Sequence, residues 1–185
     1  ALMERAAISC CIWIMESYSK KTSFKIFCGR GNNGGDGLAI ARILAVKKYS
    51  VRVYILDGNS PGSPDFETNL KNLKKTNIEI VFLSNEKSFP LILEEEVIID
   101  ALFGTGLNRK INGLAAALIR YINKSYAEVI SIDVPSGLYI EKSSGKNPLI
   151  KAKYTLTFQN QKLAFLMPEN ELYIGKIMVL DIGLS

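Results

Sequence analysis

The stretch that most constrains the chain is Gly29-Arg30-Gly31-Asn32-Asn33-Gly34-Gly35-Asp36-Gly37, which stands between an apolar run, Phe24 to Cys28, and a helical pattern, Leu38 to Lys48. Five of its nine residues are glycine. Glycines permit positive φ and close approach of backbone to a ligand, and free amides at the start of the following helix favour negative or oxygen-rich groups. Strand, glycine-rich loop and helix in that order predict a ligand-binding turn for a nucleotide-like molecule. Gly29, Gly31 and Gly34 meet the literal G-x-G-x-x-G spacing, and Asp57 follows the next apolar run, Val51 to Leu56, as a dinucleotide fingerprint asks. Asp36 argues against that reading, because a carboxylate at the helix start opposes a pyrophosphate. Asn32, Asn33 and Asp36 instead supply amides and oxygens for a polar, partly cationic or hydroxylated target.

Further strand patterns lie at Val51 to Leu56, Ile78 to Phe82, Val97 to Asp100, Glu128 to Asp133, Tyr154 to Phe158 and Lys176 to Asp181. Helical patterns alternate with the earlier ones. The first twenty residues place Leu2, Met3, Ala6, Ala7, Cys10, Trp13 and Ile14 on one broad face. Pro64 to Lys75 opens with Ser63 as N-cap and proline at the first helical position, and Gly113 to Asn123 is Ala-rich and amphipathic. The alternation predicts an α/β fold: a mostly parallel twisted sheet covered by helices on both faces. At 185 residues and 48% apolar composition, one domain spanning 1–185 is expected. No N-cap precedes Leu2, so residues upstream are expected to be missing.

The net charge of +5 is made largely of dispersed lysines such as Lys20, Lys21, Lys71, Lys74 and Lys75, which read as solvated surface and speak against nucleic acid as a partner. No apolar run approaches the ~20 residues of a membrane span, and no signal-peptide zones open the chain, so a soluble cytoplasmic protein is expected. Cys10, Cys11 and Cys28 lack metal-site spacing and read as buried small apolar side chains. Histidine is absent altogether. Acid–base chemistry near neutral pH therefore falls to carboxylates, lysines, tyrosines or cysteines with adjusted pKa values, aspartates first.

In a parallel sheet, ligands gather beyond the carboxyl ends of the strands, where the strand order reverses. Besides the glycine-rich segment, two strand ends carry chemistry. Val97-Ile98-Ile99-Asp100 runs into Gly104-Thr105-Gly106-Leu107-Asn108-Arg109-Lys110, and Ile130-Ser131-Ile132-Asp133 runs into Val134-Pro135-Ser136-Gly137. Asn33, Asp100 and Ser136 offer hard oxygen ligands suited to an alkali or alkaline-earth cation. Arg109 and Lys110 are placed to balance ligand phosphates or to stand as solvated loop cations.

The segments Cys28 to Gly37, Asp100 to Gly106, Ser131 to Gly137, and Leu156-Thr157-Phe158-Gln159 with Lys162 resemble, in order and spacing, those of the NAD(P)H-hydrate epimerases, the YjeF N-terminal domain family. Leu2-Met3-Glu4-Arg5-Ala6 and Asp181-Ile182-Gly183 extend the likeness to essentially the whole chain. The resemblance implies a Rossmann-like three-layer αβα sandwich that interconverts the R and S forms of NADHX and NADPHX, the hydrates of reduced nicotinamide cofactors. It implies that Asn32, Asn33, Gly34, Gly35 and Asp36, together with Gly104, Thr105, Gly106, Leu107, Asn108, Arg109 and Lys110, contact the hydrated dinucleotide, with Asp133 at its reacting part. It also implies a potassium ion on Asn33, Asp100 and Ser136, and a fused or separate ADP- or ATP-dependent dehydratase as partner. Arg30 stands where the family often has a smaller residue or proline, Arg5 where asparagine is common, and the segment that usually precedes the first helix is absent.

Epimerising the hydroxylated ring carbon requires the hydroxyl to leave with help from the ring nitrogen and water to return on either face. A carboxylate that gives and retakes a proton serves both directions. Asp133 is the first candidate, and Asp36 the second or an orienting partner. Two other classes compete: a non-catalytic, RNA-associated dimerisation scaffold built on the same domain, and a hydride-transfer enzyme resting on the glycine spacing and Asp57. The apolar first helix also suggests a homodimer.

Overall fold

In the computed structural model, residues 2–183 are described. Seven strands, β1 (Ser23–Cys28), β2 (Ser50–Leu56), β3 (Glu79–Leu83), β4 (Val97–Ala101), β5 (Glu128–Ile132), β6 (Tyr154–Phe158) and β7 (Lys176–Leu180), form one sheet. Their order is β3-β2-β1-β4-β5-β6-β7 and every pairing is parallel, one step beyond the mostly parallel sheet expected from sequence. The helices are α1 (Leu2–Ser17), α2 (Asn32–Val46), α3 (Pro64–Leu73), α4 (Gly113–Lys124) and the single turn α5 (Glu171–Ile174).

Because helices cover both faces, the strands are apolar in both directions. On β1, Phe24, Ile26 and Cys28 join a core with Ala7, Cys10 and Ile14 of α1, Leu38 and Leu44 of α2, and Phe66, Leu70 and Leu73 of α3. Phe27, on the alternate face, joins Tyr54 of β2, Ile98 of β4 and Leu118, Ile119 and Ile122 of α4. Lys25, also buried, is neutralised by Glu96. The three cysteines are free and buried, as expected, and the five lysines singled out above are exposed. Among the described residues no helix is long and apolar enough to cross a membrane.

Ser63 caps α3 as anticipated, its Oγ accepting from the Phe66 amide at 3.2 Å. The start of α2 differs from expectation. The helix begins at Asn32 and takes in Gly34, Gly35 and Gly37, so the segment read as a loop is mostly helix. None of its glycines has positive φ. Their purpose is proximity: a Cβ at Gly34 would lie 1.9 Å from the Gly29 carbonyl oxygen, and one at Gly37 would lie 2.6 Å from Ala101 Cβ and 2.7 Å from Cys28 Sγ. The helix N-terminus is thereby seated against the ends of β1 and β4.

Candidate active site

The strand order reverses between β1 and β4: successive strands run outward to β3 on one side and to β7 on the other. At the carboxyl edge of this switch point lies a cavity of about 740 Å³, lined by Arg30, Gly31, Asn32, Asn33 and Asp36 after β1, by Leu102 to Arg109 after β4, and by Asp133 after β5. Position in the sheet and position of the chemistry therefore coincide.

Of the residues named from sequence as substrate contacts, Asn32, Asn33, Asp36, Gly104, Thr105, Gly106, Leu107, Asn108, Arg109 and Asp133 all line this cavity. Gly34, Gly35 and Lys110 do not. Gly34 backs onto Gly29, and Gly35 faces the Met3 thioether and the Phe66 amide nitrogen. Lys110 lines a neighbouring depression of about 370 Å³ that shares Phe103, Leu107 and Arg109 with the main cavity. Arg30, Gly31, Leu102 and Phe103 complete the lining without having been proposed as contacts. Asp57 is not in the lining; its Oδ1 accepts from the Gly58 amide at 2.9 Å and lies 3.9 Å from the Arg30 guanidinium.

Gly31, the N-cap of α2, brings no side-chain cap, so the first amides of the helix are not claimed by a capping oxygen. Asp36, one turn in, sits in a setting that disfavours its charge. Burial, then the negative charges of Asp133 and Asp65, raise its pKa from 3.8 to about 7. It can therefore exchange a proton near neutral pH, the task the missing histidines leave open.

Asp133 follows β5 directly, with φ of 68°, in the left-handed region that L residues rarely adopt. Its amide donates to the Leu156 carbonyl at 2.7 Å, which fixes this backbone against β6. A Cβ at Gly104 would lie 3.6 Å from Asp133 Oδ2 and 3.2 Å from Asn33 Cβ. Gly104 thus leaves open the space between the first and third strand ends. Asp133 Oδ1 faces Lys162 Nζ at 3.5 Å.

Asp100 behaves differently. It is fully buried on β4, opposite Ser131 in the ladder. Its Oδ2 accepts from Ser131 Oγ at 2.7 Å and from the Ser136 amide at 2.9 Å, while its Oδ1 accepts from Ser136 Oγ at 2.5 Å and the Leu102 amide at 3.3 Å. Burial raises its pKa, and the hydrogen bonds from Ser136, Ser131 and Leu102 work in the opposite direction. This network ties together the loops after β4 and β5, since Ser136 Oγ also accepts from the Phe103 amide at 2.9 Å. Asn33, 7% exposed, has neither its Oδ1 nor its Nδ2 hydrogen-bonded. Such a carboxamide is costly unless a ligand or ion completes it. Asn33, Asp100 and Ser136 offer only oxygen and amide donors, the type a hard monovalent cation such as potassium takes, and of the three Asn33 is the one whose side chain is left without a partner.

The chain matches the family described as YjeF-related protein N-terminus over residues 1–164. It is 34% identical over 184 residues to the NAD(P)H-hydrate epimerase of Oenococcus oeni, covering 99% of this chain and 85% of that protein. It is 38% identical over 190 residues to that of Anaerococcus prevotii, covering 99% and 84%. The bifunctional NAD(P)H-hydrate repair enzyme Nnr of Moorella thermoacetica is 36% identical over 163 residues, 86% of this chain and 31% of that longer protein. The crystal structure of yeast ynu0, YNL200c, superposes with a TM-score of 0.80 over 97% of this chain and 77% of that one at 20% identity, which carries the fold. By these matches the chain belongs to the YjeF N-terminal family.

Proposed function

We infer that the protein is an NAD(P)H-hydrate epimerase, interconverting R- and S-NADHX and R- and S-NADPHX and so serving repair of reduced nicotinamide cofactors. Several relatives that match nearly the whole chain carry that name. The observation that carries the reading is the meeting of two carboxylates, Asp36 and Asp133, in one polar cavity at the switch point. A tetrahydropyridine hydrate needs an acid to release its hydroxyl and anionic surroundings for the iminium cation that follows, and the cavity has both. Arg109 and Arg30 lie on the same lining, where the dinucleotide's phosphates need cations. A non-catalytic scaffold gains nothing from the buried, unpaired Asn33 or from an aspartate held near neutrality.

Potassium belongs to this reading: Asn33, Asp100 and Ser136 would hold it, and it would supply a fixed positive charge that favours the ionised form of Asp100. The chain's own residues do the rest. Asn32 and the α2 amides hold the substrate, Gly104 leaves room between Asn33 and Asp133, and the carboxylates handle the proton. The S hydrate passes to an ADP- or ATP-dependent dehydratase, separate or fused, in keeping with the bifunctional relatives. We place the work in the cytoplasm, where free buried thiols such as these persist. We also read the protein as a homodimer through the exposed Leu2, Ile8 and Ile12 of α1, a mass that light scattering measures.

The test supplies mixed R- and S-NADHX, excess S-specific dehydratase and potassium, and follows recovery of NADH. Consumption of the R form well above its spontaneous rate supports the epimerase. Decay of R at the background rate with folded protein removes it.

A further inference from the structure

Resting on the epimerase reading, we propose that Lys162 is a positioning residue that divides the labour between the two cavity carboxylates: its ion pair holds Asp133 facing the substrate ring and leaves the travelling proton to Asp36. Asp36 and Asp133 both line the cavity, and Lys162 does not; it stands behind Asp133. Its ammonium lies 3.5 Å from Oδ1, with the two side chains 23% and 17% exposed, while Oδ2 is the oxygen that looks toward Gly104 and the cavity. One oxygen is thus neutralised from the rear and the other left for the ligand. Among the described residues Asp36 has no ion-pair partner of this kind.

The placement is built in. Lys162 is the N-cap of a 3-10 turn, Leu163–Leu166, and its carbonyl accepts from the Phe165 amide at 2.9 Å. Ala164 and Phe165 of that turn are buried with Val134 and Leu138, which follow Asp133 in the chain. Ammonium and carboxylate are therefore carried by segments packed into one small core. Asp133 in its left-handed conformation is a carboxylate whose direction needs holding, and an ion pair does so.

The charges that raise Asp36 are those of Asp133 after β5 and Asp65 on α3; Cys10 on α1 and Cys28 on β1 are near enough to be raised by Asp36 in turn and, buried, stay neutral, while Arg30 and Arg109 share its cavity. Burial and the two negative neighbours outweigh the helix start and the cavity arginines and favour the protonated form, in keeping with its pKa of about 7. Two carboxyls in unlike surroundings separate into an acid and an anion. In the step that follows, the Asp36 carboxyl gives its proton to the ring hydroxyl, the C–O bond breaks with its electron pair leaving on water, and the ring nitrogen lone pair forms the C=N bond. Asp133 faces the cation. Water then adds to the opposite face of that carbon, the C=N pair returns to nitrogen, and the proton lost by the water restores Asp36. Nothing is oxidised or reduced.

The experiment compares wild type, Lys162→Met, Lys162→Arg and Asp36→Asn in steady-state epimerisation across pH, alongside thermal unfolding. Lys162→Met is expected to lower kcat by about 30-fold with KM within about twofold, as loss of positioning does. Its pH–kcat profile moves to higher pH, because removing a cation makes the carboxylate pair hold its proton more tightly. Lys162→Arg restores most of kcat. Asp36→Asn loses at least about 100-fold, together with the fall in wild-type kcat as pH rises through about 7. A Lys162→Met enzyme with unchanged kcat and pH profile overturns the proposal, as does one whose loss is matched by lowered thermal stability and not repaired by arginine. Wild type without epimerase activity overturns the function and this division with it, whereas active wild type beside a fully active Lys162→Met variant overturns the division alone.

Discussion

Replacing Asp36 with asparagine should make the protein more stable at alkaline pH while disabling it. The native fold holds the Asp36 proton up to about 7, whereas an unfolded chain releases it near the ordinary 3.8. Between those values the native state binds a proton that the unfolded state has lost, so stability falls as pH rises through that window and levels off above it. Each tenfold in proton affinity is about 1.4 kcal/mol, giving a ceiling of roughly 4 kcal/mol; access of cavity water trims this to roughly 2–4 kcal/mol. Asparagine keeps the shape and carries none of that penalty. Urea unfolding of both proteins at fixed pH should show near-equal stability at about pH 4, and a gap in favour of Asp36→Asn that widens to its full size by about pH 8. A gap independent of pH, or a variant less stable than wild type at about pH 8, would refute the claim that burial and the charges of Asp133 and Asp65 hold this carboxyl protonated. The same variant's poor turnover would mark Asp36 as a site where stability is given up for function.

Asp100→Asn should behave in the opposite sense. It turns an amide N–H toward donors that now satisfy a carboxylate, so a loss of about 3 kcal/mol in urea unfolding is expected, and a change under about 0.5 kcal/mol would show that the Ser131–Asp100–Ser136 network is not structural. For the cation, the wild-type unfolding temperature should be higher in potassium than in lithium at equal ionic strength, and the difference should vanish in Asn33→Ala; equal temperatures in both salts for wild type would remove the ion from Asn33.

Much of this was legible where a residue type has one local use. Ser63 before Pro64 marked the start of α3, and three apolar runs ending near Asn33, Asp100 and Asp133 foretold which strand ends would meet. The start of α2 was not legible, since glycine and asparagine are poor helix formers and only the closeness of β1 and β4 explains them there. The strand read as far as Asp133 stops at Ile132, because the left-handed turn at Asp133 has no signature in composition. Lys110 looked equivalent to Arg109, yet the loop turns it to the neighbouring depression. Lys162 stood out only through family likeness: the short turn that aims it at Asp133 has no periodicity to read, and its partner lies on a distant part of the chain.

The strand order also bears on how the chain comes into being. Synthesis delivers β1, β2 and β3 with α1, α2 and α3 first, and those helices can dress one side of the half-made sheet at once. The other side, with Phe27, Tyr54 and Leu83, waits for Leu118, Ile119 and Ile122 of α4. Until then a greasy three-stranded face is bare to other nascent chains, while the open edge on β1 is closed earlier, when β4 slots in beside it. That event also brings Ala101 of β4 against Gly37 of α2. The closing of the β1 edge is thus the moment the cavity begins to exist.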